Sequence, residues 1–498
     1  MKFNLVSIFF VVVFINDSDL LAQSANYWSW NFNTPSTLLA GAVTGGGAGP
    51  SAIYYNPALI DQENISNFSL SANLISLQFF KAENIAGEGY DAEQFVFKVQ
   101  PRFISYTLDN ENDKLGVELT LLTPVSEEIR YTGQYINSLD VINRTQGNEI
   151  YSAYLNYARK YDDIWLGGGV SYRFSPQFFM GLSGFVSTKT LKYQYAEAPK
   201  AYQETDSVEV GGYYEPRYIA ASWFQEEFQY WYSSLIFKLG AQYRAVNNRF
   251  SAGVNLTFPD IPVIGAGSVR KEIGRSEIFD DQEDNFIANE NVVGFEEDMK
   301  VRVKNPFSAA LGIQYISGDA RSIISVNMEY FHKIDAYSVV ESRFQASWLP
   351  GFLSSEVSSK DFLSYAYEAA AVTNFAVGFQ QIISPTFNFL AGFRTDFTAS
   401  IEGNERFIAD KFTINQIHLD KYHFTIGPVW RFQRYKIVSG LQYTTGRNKD
   451  AYQIVNYADP VEYIPETDQS LVGIDRTNAE AALTEIALFF GISIDLIP

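Results

Sequence analysis

Cysteine is absent from the 498 residues. Its absence excludes a disulfide framework, a thiolate metal site and a lipidated-cysteine anchor. Histidine is nearly absent, with only His332, His418 and His423. No HExxH or other metal spacing surrounds them and no Gly-x-Ser-x-Gly elbow occurs, so no metal, cofactor or catalytic residue is assigned. Positive charge is scarce. The chain has 37 Lys and Arg against 57 Asp and Glu, a formal net charge of −20. A phosphate backbone calls for the opposite balance, which argues against a nucleic-acid partner. Long apolar runs are missing after the N-terminus. A mean hydropathy of −0.11 leaves no room for a bundle of membrane helices.

Aromatic residues are abundant, with 40 Phe, 32 Tyr and 7 Trp. High aromatic content at moderate hydropathy suits a transmembrane barrel, whose strands are apolar on one face only. Lys2 followed by the apolar run Leu5–Ile15 has the length and flanks of a signal-peptide core, with cleavage after Ala22. An exported chain with no later apolar helix is periplasmic, secreted or an outer-membrane barrel.

From residue 64 onward the dominant period is two. Phe95, Phe97 and Val99 alternate with Val96, Lys98 and Gln100, and Ile164, Leu166, Val170, Tyr172 and Phe174 continue the pattern. In the last strand Ile486, Leu488, Phe490, Ile492 and Ile494 alternate with Ala487, Gly491, Ser493 and Asp495. Such alternation predicts half-buried strands. Short turns are expected at 109–113, 175–176, 245–248, 317–319, Ser384-Pro385 and near Gln433. Long polar excursions are expected at 81–93, 126–162, 196–227, 259–298, 334–370, 399–420 and 447–480. Six short connections alternating with seven long ones predict about fourteen antiparallel strands, with both termini on the short-turn side. Tyr151–Tyr157 also looks like a strand and is assigned as an outward extension of the strand at 163–174. The expected organisation is a signal peptide over 1–22, an N-terminal plug over 23–62 and a transmembrane β-barrel over 63–498.

The plug is read from residues 36–60. Gly45, Gly46, Gly47, Gly49 and Pro50 break any helix, while Ile53, Tyr54, Tyr55, Leu59 and Ile60 need burial. A Gly-rich phosphate loop is disfavoured, because no Gly-Lys-Ser/Thr follows. Gly45–Ala58, ending in Asn56-Pro57-Ala58, resembles the FadL/TodX family of outer-membrane transporters for long-chain fatty acids and other hydrophobic compounds. The resemblance implies a plugged fourteen-strand barrel in the outer membrane of a Gram-negative bacterium. It also implies surrounding membrane lipid, a hydrophobic small-molecule ligand, capture at extracellular loops and lateral release through the wall. Asn56, Pro57 and Ala58 are expected to hold the plug in a turn.

Proline inside a strand breaks ladder pairing. Pro101 and Pro124 therefore mark local breaks in pairing, either ordinary bulges or, as the family resemblance with its kinked third strand implies, a candidate lateral opening; Pro428 shows that a strand proline need not be a gate. Phe344, Trp348, Leu349, Phe352 and Leu353 form an apolar patch within a long loop, a candidate capture surface. Phe228, Tyr230, Trp231 and Tyr232 read as an interfacial aromatic girdle. The acidic run Asp280, Asp281, Glu283 and Asp284 reads as a solvated loop, since it lacks EF-hand spacing. Two alternatives stay open. A FadL-like barrel serving secretion or surface attachment would carry a protein partner. An outer-membrane hydrolase would depend on His423 or His332.

Overall fold

The computed structural model describes residues 26–29, 31–60, 67–108, 112, 114–203, 207–400, 407–414, 418–474 and 478–495. The expected leader lies outside these residues, as do 23–25, 30 and 61–62 of the expected plug.

Fourteen antiparallel strands close into one barrel. They are β1 Asn67–Glu83, β2 Ala92–Leu108, β3 Leu115–Leu139, β4 Glu149–Arg173, β5 Phe178–Glu197 and β6 Ala220–Arg244. β7 comes in two pieces, Phe250–Thr257 and Ile261–Ser276, and so does β8, Glu290–Lys300 and Ser308–Ile316. Then follow β9 Ser322–Phe331, β10 Val372–Ser384, β11 Phe387–Asp396, β12 Lys421–Arg431, β13 Tyr435–Tyr452 and β14 Asn478–Asp495. β14 pairs with β1 from Asn67↔Asp495 to Glu83↔Glu480, which closes the sheet into a ring.

The period-two pattern sets which face meets lipid. Phe97, Leu166, Phe237, Phe424 and Ile486 point outward and are exposed. Their alternates point into the lumen and are buried, among them the polar Glu118, Lys238, Arg394 and His423. A band of exposed large apolar side chains around a closed polar-lined sheet is the pattern of a membrane barrel.

The excursions expected at 126–162, 196–227 and 259–298 are mostly strand. β3 and β4 stay paired up to Leu139↔Glu149, with Tyr151–Tyr157 inside β4. β5 and β6 pair up to Glu197↔Phe224, and the outer piece of β7 pairs with β8 up to Arg275↔Glu290. These ribbons satisfy their own backbone groups. Polarity there follows the strand's exit from lipid and not its end.

Two short helices, α1 Thr34–Leu38 and α2 Ala52–Tyr55, lie inside the barrel. Leu38, Val43 and Ile53 are fully buried, each contributing about 1.5–3 kcal/mol. At the other end, a small sheet of Ile334–Val340, Tyr365–Ala369, Lys411–Phe412 and Phe407–Ile408 packs over the lumen as a cap.

Candidate functional site: plug, cap and a break in the wall

The plug is held by its backbone. Asn56 Oδ1 accepts from the Ala58 amide at 3.1 Å and starts the turn Pro57–Leu59. Its Nδ2 donates to the Thr44 carbonyl at 2.8 Å and to the Ala241 carbonyl of β6 at 3.2 Å. Gln242 Nε2 and Ser251 Oγ both donate to the Gly45 carbonyl, at 3.0 and 2.8 Å. Close approach is possible because the wall offers glycine where the plug touches it. A Cβ on Gly181 would overlap Pro57, one on Gly240 would overlap Asn56, and one on Gly253 would overlap Thr44. Gly45 needs the same room, since its Cβ would come within 2.8 Å of the Gly312 backbone. Gly47 sits at φ 80° in the turn, a conformation that favours glycine.

Nearer the cap, Asp396 of β11 accepts from the Trp28 amide at 2.9 Å and from Ser29 Oγ at 3.0 Å. Trp28 Nε1 donates to Glu329 of β9 at 2.7 Å. The described N-terminal residues are therefore tied to the wall on two strands.

The cap is latched to the wall by a buried cluster. Glu226 of β6 accepts from Tyr193 of β5 at 2.8 Å and from Tyr365 of the cap at 2.6 Å. Lys271 of β7 lies 3.4 Å from Glu226 and 2.8 Å from the centre of the Phe412 ring, also in the cap. Phe228 stacks on Tyr365 at 4.6 Å. Farther out, Arg144 pairs with Glu462 of the hairpin Val461–Val472 at 2.5 Å. Burial pushes the Glu462 carboxyl above its usual range, against the pull of Arg144.

Between β2 and β3 the ladder runs only from Leu108↔Val117 to Phe103↔Leu122. Above that rung the stretches 92–101 and 125–139 stay paired on their far side, with β1 and β4, but not with each other. Pro101 and Pro124 sit at the start of the break. A register shift accompanies each, at Ser71/Ala72 opposite Pro101 and at Leu122/Val125 around Pro124. Across the break Gln94 Oε1 accepts from the Arg130 amide at 3.1 Å. On the lumen side Pro124 and Val125 line a cavity of about 70 Å³ with Tyr54 of the plug, Asp163, Trp165 and Lys238. At ~10–15 Å³ per water molecule it has room for a few waters and not for a lipid chain, so the wall is seen with its interior closed. Pro428 differs, because the β12–β13 register is the same on both sides of it.

No protein-family profile matches the chain, and no curated protein sequence matches it. Solved structures do. A Pseudomonas aeruginosa FadL homologue superposes with TM-score 0.55 at 12% identity, over 95% of this chain and 100% of that one. The P. putida toluene transporter TodX superposes with TM-score 0.52 at 12% identity, over 94% of this chain and 99% of that one. The chain has the FadL-type fold.

Against that FadL-type frame, the nominated residues fall in three places. Gly45, Gly46, Gly47, Gly49, Asn56, Pro57 and Ala58 are in the plug, and Pro101 and Pro124 are at the wall break. Of the loop patch, Leu353 is buried, while Phe344, Trp348 and Leu349 are half-buried against the cap's core. The Phe352 side chain lies outside the described set. The patch is thus the inner lining of the cap and not a displayed surface, because its apolar side chains find the Phe362–Phe412 cluster. Trp348 also faces a cleft of about 40 Å³ with Trp223, Ile273, Arg275 and Asp468. The expected girdle is corrected too. Phe228, Tyr230 and Tyr232 point into the lumen core, and only Trp231 of that run faces outward. The strand alternates there as elsewhere, and its inner face is aromatic because it packs the cap.

Sequence reasoning missed Glu226, Lys271 and the wall glycines. A glycine at a lumen-phase position, such as Gly240 beside outward Phe237 and Tyr243, was the available signal. The histidines have polar partners. His423 Nδ1 lies 2.7 Å from Thr444 Oγ1, His332 Nδ1 lies 3.1 Å from the Tyr330 hydroxyl, and His418 Nδ1 lies 2.8 Å from Ser400 Oγ. Among the described residues, no carboxylate hydrogen-bonds to the His418 ring to orient that Ser–His pair.

Proposed function

We propose that this chain is an outer-membrane channel for passive, energy-independent entry of hydrophobic molecules, with long-chain fatty acids one class of cargo. Cargo enters by way of the cleft beside Trp348, passes under the cap to the cavity above the plug, and leaves sideways between β2 and β3. The observation that carries this reading is the loss of pairing above Phe103↔Leu122, in a barrel whose first and last strands pair and whose lumen is filled by buried plug residues. A water-filled pore would serve a hydrophobe poorly. A gap that opens between a lumen cavity and the lipid-facing surface around the exposed Phe95, Phe97 and Val99 would serve it well. The FadL homologue and TodX fold support the same reading. The barrel and the leader-like N-terminal sequence support an exported, multi-pass outer-membrane location.

The cysteine-free chain makes the test direct. The pair Gln94→Cys and Arg130→Cys places two thiols across the break. Oxidation should lower uptake of radiolabelled palmitate and naphthalene into cells carrying the protein, and reduction should restore it. Unchanged uptake in the oxidised, folded barrel would overturn lateral release at this place.

A further inference from the structure

The wall is interrupted a second time, between β7 and β8. The lower pieces pair from Phe250↔Tyr315 to Thr257↔Ser308, and the outer pieces resume at Ala266↔Lys300. Between those rungs residues 258–265 face 301–307 with no ladder. β7 carries eight residues across this stretch and β8 seven, so the two strands cannot zip in one register. Pro259, Pro262 and Pro306 fall inside it and remove three donors. β7 keeps its bonds to β6 through a register shift at Pro262/Ile264, whereas β8 turns away and its Arg302 amide donates to the Val339 carbonyl at 3.1 Å.

A side chain takes the place of the missing rungs. The Asp260 carboxylate accepts from the Asn305 amide at 2.6 Å and from the Tyr232 hydroxyl at 3.2 Å. One carboxylate thus bridges β6, β7 and β8 where backbone pairing has failed. Outside, Ile261, Val263 and Ile264 are all more than half exposed, an apolar rim at the lipid surface. Inside, Asn305, Pro306, Thr257 and Ser308 line the same cavity of about 70 Å³ that Pro124 and Val125 line from the opposite side. The rung at which the β2–β3 break begins and the middle of the β7–β8 break also share one register row, Phe103–Leu122–Trp165–Ser187–Ser234–Pro262. The cavity therefore reaches both breaks from within.

We propose that the β7–β8 break is a second lateral exit for hydrophobic cargo, closed in this structure by the Asp260 clamp on Asn305. The proposal rests on the transport reading above. Cargo in the shared cavity partitions between two gaps in the wall. The second is held by hydrogen bonds to one side chain, which exchange for water or for each other at small net cost, unlike a continuous ladder.

The test compares two locks in the full chain, using radiolabelled palmitate and naphthalene as probes. Asp260→Cys with Asn305→Cys bonds β7 to β8, and Gln94→Cys with Arg130→Cys bonds β2 to β3. Oxidation of the first pair should lower uptake, by about half if the exits share traffic evenly, and reduction should restore it. Asn305→Trp, which fills the cavity mouth without a new bond, should give a matching loss in a barrel that keeps its heat-modifiable gel mobility. If the β7–β8 lock or a folded Asn305→Trp barrel takes up both probes at the unmodified rate while the β2–β3 lock abolishes uptake, the second exit is overturned and transport stands. If neither lock changes uptake, both readings fall.

Discussion

Gly240 and Asn56 occupy adjoining space with nothing to spare: a Cβ on Gly240 would overlap Asn56 Oδ1, while Asn56 Nδ2 donates to the carbonyl of the next residue, Ala241, at 3.2 Å. Gly240→Val therefore has to expel either its own side chain or the plug. The strand is pinned by pairing to β5 and β7, so the plug gives way. The expected outcome is a folded barrel with an enlarged aqueous conductance in planar bilayers, where the parent is nearly silent. A silent, folded Gly240→Val channel would show that the plug can shift without unsealing the lumen.

Asn56 acts through three hydrogen bonds, two donated and one accepted. It is fully buried, so Asn56→Ala leaves the Thr44 and Ala241 carbonyls and the Ala58 amide without that partner. The plug should lose about 1–3 kcal/mol of local stability for each group left unsatisfied. Hydrogen exchange of residues 40–60 should quicken by at least tenfold while the barrel amides stay protected. Equal protection in the variant would mean that the wall glycines, and not Asn56, hold the segment.

The cap latch turns on charge. Glu226→Gln keeps one of the two oxygens that accept from Tyr193 and Tyr365, and leaves Lys271 buried beside a neutral amide. Breaking a buried pair from one side costs about 3–5 kcal/mol. The cap should open, exposing 341–364 to protease, with barrel heat-modifiability unchanged. Replacing Lys271 by Met in the same chain removes the buried ammonium and should recover part of the protection.

How legible the molecule was depends on which force set each feature. Lipid-facing positions such as Phe97, Leu166 and Ile486 were readable, because a lipid surface on one side imposes strict period-two alternation. The strand count was readable because short and long connections alternate. Pro101 and Pro124 could be seen because proline breaks pairing by covalent structure alone. The extent of β3, β4 and β7 was not readable, since above the membrane both faces meet water or protein and the apolar signal fades. The inward turn of Phe228, Tyr230 and Phe344 was hidden for a related reason. An aromatic side chain is equally suited to an interface, a surface or a core, and only the cap's position in space decides. The Glu226–Lys271 pair joins residues 45 positions apart on strands β6 and β7, and nothing local to either announces the other.

The wall break makes a prediction in which stability and transport move in opposite directions. Pro101 and Pro124 each withhold one backbone donor where β2 and β3 part. Pro101→Val with Pro124→Val returns both donors and supplies β-branched side chains suited to a strand. If the break exists because pairing cannot continue past the prolines, the ladder should extend outward from Phe103↔Leu122. Each rung regained contributes about 0.5–1.5 kcal/mol, so the unfolding temperature in detergent should rise. The same zipping closes the route from the Val125 cavity to the surface at Phe97, and palmitate uptake should fall. A residue pair that merely shaped the barrel would lose stability and transport together when altered. A higher unfolding temperature with undiminished uptake would mean that cargo leaves elsewhere in the wall, and the Asp260-clamped gap between β7 and β8 would then have to carry it.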